Sequence, residues 1–249
     1  MDGFGPLQLV LASVALAAGG VVKGTIGIGL PIVTIAILSN LLPIPQVLGI
    51  VTLPILATNL WQAVHSGNLL VPLKRFWPMI AGLMICLWIG TRLVVALDPA
   101  VLYGLLGLVV VLFTLTSFAT PNFTLSPRAQ IWCAPIAGSL GGLLGGISTI
   151  WGPPMMMYFV MIRLTKEEFI RAVGLVWFAA SVPLVAGYID NGILNADNAT
   201  TSALACIPAF AGLWTGQWLR QFIDQEIFRN VLLAALFLIG LNLIRRALF

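Results

Sequence analysis

The sequence predicts an all-α, polytopic membrane protein built from two repeats of opposite orientation. Three observations carry this reading. First, 60% of the 249 residues are apolar and only 8% are charged, against about 45–50% and about 25% in an ordinary soluble domain, and the mean hydropathy is +1.06. So few charges cannot clothe a globule of this size in polar surface, which excludes a soluble enzyme or a disordered chain. Second, the apolar runs are continuous over about 20 residues, the helix length that crosses a bilayer core about 30 Å thick. Strands of a membrane barrel would alternate apolar and polar residues instead. Third, the two halves of the chain match each other in order.

The apolar segments fall at 7–23, 30–42, 46–65, 76–97, 100–118, 131–147, 153–163, 168–188, 199–220 and 226–247. The first follows Met1, Asp2 and Gly3. With no basic residue ahead of it, it reads as a retained helix rather than a signal peptide. Segments 30–42 and 153–163 are too short to cross comfortably, and the segments before them are also short and run into glycine. Lys and Arg set the orientation. With the N-terminus outside, Lys74, Arg75, Arg128, Arg163, Lys166, Arg171, Arg220 and Arg229 fall at cytoplasmic ends, and Arg92, Arg245 and Arg246 on the other side with the acidic stretch 190–197. That places both termini outside a bacterial cytoplasmic membrane. The 12 basic residues form no run longer than two, so nucleic acid is not an expected partner. Cys86, Cys133 and Cys206 have no metal-ligand spacing and read as small buried residues.

The repeat is read from five matches in register. Gly20-Val-Val-Lys-Gly24 followed by Pro31 matches Gly142-Leu-Leu-Gly-Gly146 followed by Pro153. Gly49 matches Gly174, and Gly67-Asn-Leu matches Gly192-Ile-Leu. Leu87-Trp-Ile-Gly90 matches Leu213-Trp-Thr-Gly216, and Asp98 matches Asp224. The halves are 1–122 and 123–249, with five segments each. Five is odd, so the second half enters from the opposite face. Secondary transporters are commonly built this way, with the site at the repeat interface near the midplane and marked by short Gly/Pro-interrupted segments in both halves.

Those interruptions read Lys23-Gly-Thr-Ile-Gly-Ile-Gly-Leu-Pro31 and Gly145-Gly-Ile-Ser-Thr-Ile-Trp-Gly-Pro-Pro154. Proline suits the first turn of a helix, so the spacing predicts helices starting near Pro31 and Pro153. Helix starts carry unpaired N–H groups and about half a positive charge, and two of them converging in a cavity would bind an anion. The backbone of residues 25–30, with Gly24, Gly27 and Gly29, and of residues 148–152, with Gly152, would donate, joined by the hydroxyls of Thr25, Ser148 and Thr149. Lys23 stands beside the first break with no Asp or Glu nearby in sequence. A lysine in the membrane is a functional candidate, here for an anionic ligand; the competing reading is a segment that ends at Lys23, which snorkels to the surface. Gly138, Gly142 and Gly146 also fit small-xxx-small helix packing.

At these residues the chain resembles the TauE/SafE sulfite exporter family, within the 4-toluene sulfonate uptake superfamily. The shared features are the two-fold repeat, the breaks Gly24-Thr-Ile-Gly-Ile-Gly-Leu-Pro31 and Gly142-Leu-Leu-Gly-Gly-Ile-Ser, and the length. The resemblance implies export of sulfite or organosulfonates such as sulfoacetate.

Asn59 and Gln62 lie before the end of segment three and are expected to line the cavity or to pair in packing. Trp177 is expected at its wall, and Trp151 at the second break. His65 reads as a satisfied interfacial histidine, and Arg92 as a vestibule or snorkelling residue. Apart from Glu168 and Glu226, each the first residue of its segment, no Asp or Glu falls inside a predicted segment, where a proton- or sodium-driven pump commonly needs one. The sequence therefore points to a non-enzymatic anion exporter with no cofactor or metal; homo-oligomerisation stays open. An ion-coupled importer, a channel and an intramembrane enzyme acting on lipid phosphates are the rivals.

Overall fold

The computed structural model describes residues 6–118, 124–222 and 225–248. The expected match at Asp224 and the boundary between residues 122 and 123 lie outside the described residues. The described chain forms α1 (Pro6–Ile26), α2 (Leu30–Leu38), α3 (Ile44–His65), α4 (Leu70–Ala96), α5 (Pro99–Phe118), α6 (Pro127–Ser148), α7 (Gly152–Met161), α8 (Lys166–Asp190), α9 (Ala196–Leu204), α10 (Cys206–Leu219) and α11 (Gln225–Leu248). Among the described residues, five helices are long and apolar enough to cross a membrane, the windows being Leu9–Ile26, Ile44–His65, Leu70–Ala96, Pro127–Ser148 and Glu167–Asp190. Large apolar side chains such as Ile85, Ile131, Trp132 and Ile207 are exposed on the outer faces, as a lipid-facing surface requires.

Local chemistry explains the boundaries. Thr165 caps α8 by accepting from the Glu168 N–H, while the Glu168 carboxylate accepts from the Thr165 N–H, the reciprocal capping arrangement. Asn195 and Asn198 do the same for α9. The segment expected at 199–220 is two helices, α9 and α10, meeting at Ala205. Pro208 lies in the first turn of α10; it has no N–H to give to the carbonyl of Leu204, so the chain restarts there.

Two close seams hold the bundle together. Gly20 and Gly24 of α1 lie on the backbone of α10, and Gly212 and Gly216 of α10 lie on the carbonyls of Ala17 and Val21. Gly138, Gly142 and Gly146 of α6 lie in the same way on the carbonyls of Met79, Leu83 and Leu87 of α4. The partners in each seam run parallel, and a side chain at any of these glycines would strike backbone.

The central pair runs the other way. Gly49 near the start of α3 meets Ile193 and Asn198 just beyond α8, Asn59 bonds Ser181, and Gly174 early in α8 meets Ala63 and Ser66 at the end of α3. So α3 and α8 are antiparallel and cross near Asn59. Helices α5 and α11 are antiparallel as well, with Gly104 beside Ala247 and Gly107 beside Gly240 and Ile244. Two ion pairs tie α4 to α8 in parallel: Arg75–Glu168 at 3.0 Å near both starts and Arg92–Asp190 at 3.6 Å near both ends. Helices α1 and α2 fold into one hairpin and α6 and α7 into another. Exchanging α1–α5 for α6–α11, with α9 and α10 together matching α4, maps the main packing pairs onto one another: α1 with α10 onto α6 with α4, and α5 with α7 onto α11 with α2.

Candidate functional site

The first break is built by glycine. After Ile26 the chain passes through Gly27 at φ 89° and Gly29 at φ 111° before α2 begins. Both lie in the left-handed region that a side chain disfavours. The second break turns at Thr149, φ 59°, and α7 starts at Gly152, followed by Pro153 and Pro154. The observed starts at Leu30 and Gly152 sit one residue before the expected prolines. No side chain caps either start, so N–H groups in the first turns of both helices lack a helical partner.

Lys23 lies in the last turn of α1 and is only 4% exposed. It does not snorkel. Its ammonium donates to the Asn59 Oδ1 on α3. Asn59 is fixed in turn: its Nδ2 donates to the Ser181 Oγ at 2.8 Å and to the Trp177 carbonyl at 3.3 Å, and the Ser181 hydroxyl donates to that same carbonyl at 2.8 Å. Among the described residues, Lys23 is the one buried charged side chain, and no carboxylate pairs with it. A lone ammonium in a membrane interior is costly, about 2.5–3.5 kcal/mol on insertion scales, and a neutral amide oxygen leaves its charge without a counter-charge.

The second break supplies uncommitted donors. The Thr149 Oγ1 and the Trp151 Nε1 are buried and have no hydrogen-bond partner. Such orphans are uncommon, because each forfeits the hydrogen bonds it would make in water. The Trp151 ring meets Trp177 edge-on, with centroids 6.4 Å apart, and a side chain at Gly152 would touch Phe113 and Trp177 at 3.7 Å. Trp177 thus touches the second break with its ring and, through its carbonyl, the Asn59 that holds Lys23. The Gln62 amide faces Gly27, and its Oε1 is also buried without a partner. Val22, Ile26, Ile28, Ile150 and Phe113 belong to one packed apolar cluster that links the two breaks.

Comparison with known protein families decides the class. The model of the sulfite exporter TauE/SafE family matches residues 11–243. The chain belongs to this family. It is a multi-pass membrane protein of a transporter family, and no curated protein and no solved structure matches it.

Within this TauE/SafE chain the structure gathers Lys23, Asn59 and Trp177 into one network, with Trp151 and Gly152 against the Trp177 ring, Thr149 two residues before Trp151, and Gln62 beside Gly27. Gly29 shapes the first break. Three other candidates have committed contacts. The Thr25 hydroxyl donates back to the Val21 carbonyl at 2.8 Å and the Val22 carbonyl at 3.0 Å. The Ser148 hydroxyl donates to the Leu144 carbonyl at 2.7 Å and accepts from the Ile150 N–H at 3.1 Å. Gly24 lies on the backbone of α10. His65 is exposed, stacked on Trp61 at 3.8 Å and bonded to the Trp61 carbonyl. Arg92 pairs with Asp190 and lies over the Trp88 ring.

Sequence reasoning missed Ser181, Phe113 and Tyr188. Ser181 was out of reach of the repeat: Asn59 lies between Gly49 and Gly67, whose matches stand 125 residues on, which aligns it with Leu184. Tyr188 is fully buried, and its hydroxyl donates to the Gly146 carbonyl at 3.0 Å, tying the end of α6 to α8. Phe113 carries no sequence signal, being one apolar residue in an apolar run.

Proposed function

We propose that this chain exports small sulfur-containing oxyanions, sulfite or organosulfonates, across the cytoplasmic membrane of a bacterium. In this reading residues 1–122 and 123–249 are inverted repeats about a pseudo-dyad in the membrane plane. The antiparallel course of α3 against α8 and of α5 against α11 supports it, because each pair consists of corresponding elements. The substrate would lie beside the apolar cluster that packs the two breaks together, at its polar edge by Lys23 and the second break. Lys23, Gln62 and the backbone at Gly27 and Gly29 would approach from the first half; Thr149, Trp151 and Gly152 from the second; Asn59 and Trp177 would form the wall.

One observation carries the reading. A buried ammonium without a carboxylate is joined through Asn59 and Trp177 to the ring of Trp151, whose indole N–H is unpartnered, and the unpartnered Thr149 stands two residues before Trp151. An oxyanion is the ligand whose chemistry suits an ammonium and neutral N–H and O–H donors alike. Among the described residues no carboxylate is buried, which favours export down the membrane potential over ion-coupled import. An inside-negative potential of 100 mV favours exit by about 2.3 kcal/mol per negative charge.

The test is efflux from proteoliposomes holding sulfite or a sulfonate, with an imposed potential. Efflux should rise with interior-negative voltage in the wild type and be nearly lost in Lys23→Met. Efflux of a charged species that ignores the voltage would remove the driving-force assignment. Equal efflux by the variant would remove Lys23 from the path.

A further inference from the structure

We propose that the site selects singly charged oxyanions over doubly charged ones. The inference rests on the transport reading above and narrows its substrate class. Lys23 is the one charged side chain buried among the described residues. Its partner Asn59 is neutral, and so are the Ser181 hydroxyl and Trp177 carbonyl that hold Asn59. The first half therefore offers one positive charge.

The second half offers none. The position matching Lys23 is Gly145, and the space a side chain would need there is filled by Trp151, whose Cβ lies 2.9 Å and Cε3 3.0 Å from where a Cβ would stand. In place of a second cation this half presents neutral donors, the Thr149 hydroxyl and the Trp151 indole N–H, both buried and unpartnered. The starts of α2 and α7 add dipole attraction, which fades within the first turn and does not replace a full charge.

The balance of charge follows. A monoanion neutralises Lys23 and leaves a buried group with no net charge. A dianion sheds a larger hydration shell and still leaves one uncompensated negative charge in a low dielectric. The three oxygens of a sulfonate match the ammonium, hydroxyl and indole donors in number. Of the protonation states of inorganic sulfite, the singly charged one fits. A sulfonate bearing a second, ionised carboxylate, such as sulfoacetate, fits worse than a simple alkanesulfonate.

The experiment measures binding to the full chain purified in detergent, by calorimetry, with methanesulfonate, sulfate and methylphosphonate. Methanesulfonate and sulfate share a tetrahedral sulfur and nearly the same size but differ in charge. Methanesulfonate should bind about a hundredfold tighter, which is about 2.8 kcal/mol at 1.4 kcal/mol per tenfold. Methylphosphonate loses its second proton near neutral pH, so its affinity should fall as pH rises through that step. Methanesulfonate keeps its charge over the same range and controls for the protonation of Lys23 itself. Sulfate bound as tightly as methanesulfonate, with both lost in Lys23→Gln, would overturn charge selection and leave the site standing. No binding of any probe, or unchanged binding in Lys23→Gln, would overturn the site and this inference together. The methylphosphonate profile needs no variant, so a misfolded Lys23→Gln does not spare the proposal.

Discussion

Replacing Lys23 by methionine separates a ligand-binding ammonium from a structural strut. Methionine is unbranched and adaptable enough to follow the path of the lysine stem. The variant loses one hydrogen bond, from the ammonium to the Asn59 Oδ1; a bond to a charged group contributes about 1.5–3 kcal/mol. Asn59 keeps its bonds to Ser181 and the Trp177 carbonyl, so the link between α3 and α8 survives. In exchange the protein no longer holds an ammonium, 4% exposed, away from water, which relieves about 2.5–3.5 kcal/mol. The two changes nearly cancel. The variant should be as stable as the wild type or more stable, by up to about 2 kcal/mol on these figures.

The assay is unfolding of the purified full chain in detergent, followed by tryptophan fluorescence, beside sulfonate binding on the same preparation. Unchanged or raised stability with binding lost is the expected pair of results. A stability loss of about 2 kcal/mol or more would refute the reasoning. It would mean that Lys23 braces α1 against α3 as the partner of a buried network, where removing one member is known to cost about 3–5 kcal/mol. The anion would then have no claim on the residue.

The other predictions test the frame around the site. Gly142→Leu places a side chain on the Leu83 carbonyl of α4 and should destabilise by about 1–3 kcal/mol, the usual cost of overpacking, read as a lowered unfolding midpoint. Tyr188→Phe leaves the Gly146 carbonyl without its donor and should cost about 0.6 kcal/mol, the average for such bonds within membranes, while weakening sulfonate binding because the second break is less firmly held. Thr165→Ala removes the cap of α8 and should cost about 1 kcal/mol, seen as faster hydrogen exchange in its first turn.

The parts of the fold that the sequence made legible are those where composition and backbone chemistry leave no alternative. Continuous apolar runs have to be helices in lipid, and Pro31 and Pro153 mark helix starts because they lack an N–H that a first turn does not use. The split at Ala205 was hidden because Pro208 lies within an otherwise unbroken apolar stretch. For the site, Lys23 was visible through its charge. Its partners Asn59 and Trp177 were named from position in the sequence, but no rule of spacing says which face of α3 meets α8. Hydroxyls were the hardest to read. Thr25 and Ser148 look like ligand donors in a glycine-rich string, yet a serine or threonine near the end of a helix readily bonds the carbonyl three or four residues back, as both do here. Thr149 escapes this because, at φ 59°, it has left the helix.

In the proposed reading, a polar anion site sits on a frame of two related halves. The frame is symmetric: glycine seams of the same kind join α1 to α10 and α6 to α4, and a side chain added to one seam would disturb a packing rule shared by both. The chemistry is not symmetric. Lys23 stands in one half where Gly145 stands in the other, and Trp151 has grown over Gly145 into the room left free. A second lysine there would place two ammonium groups near one point, each raising the cost of the other with no carboxylate to offset them. In the proposed reading, one cation on one side and neutral donors on the other avoid that repulsion and would still offer partners to a single negative charge.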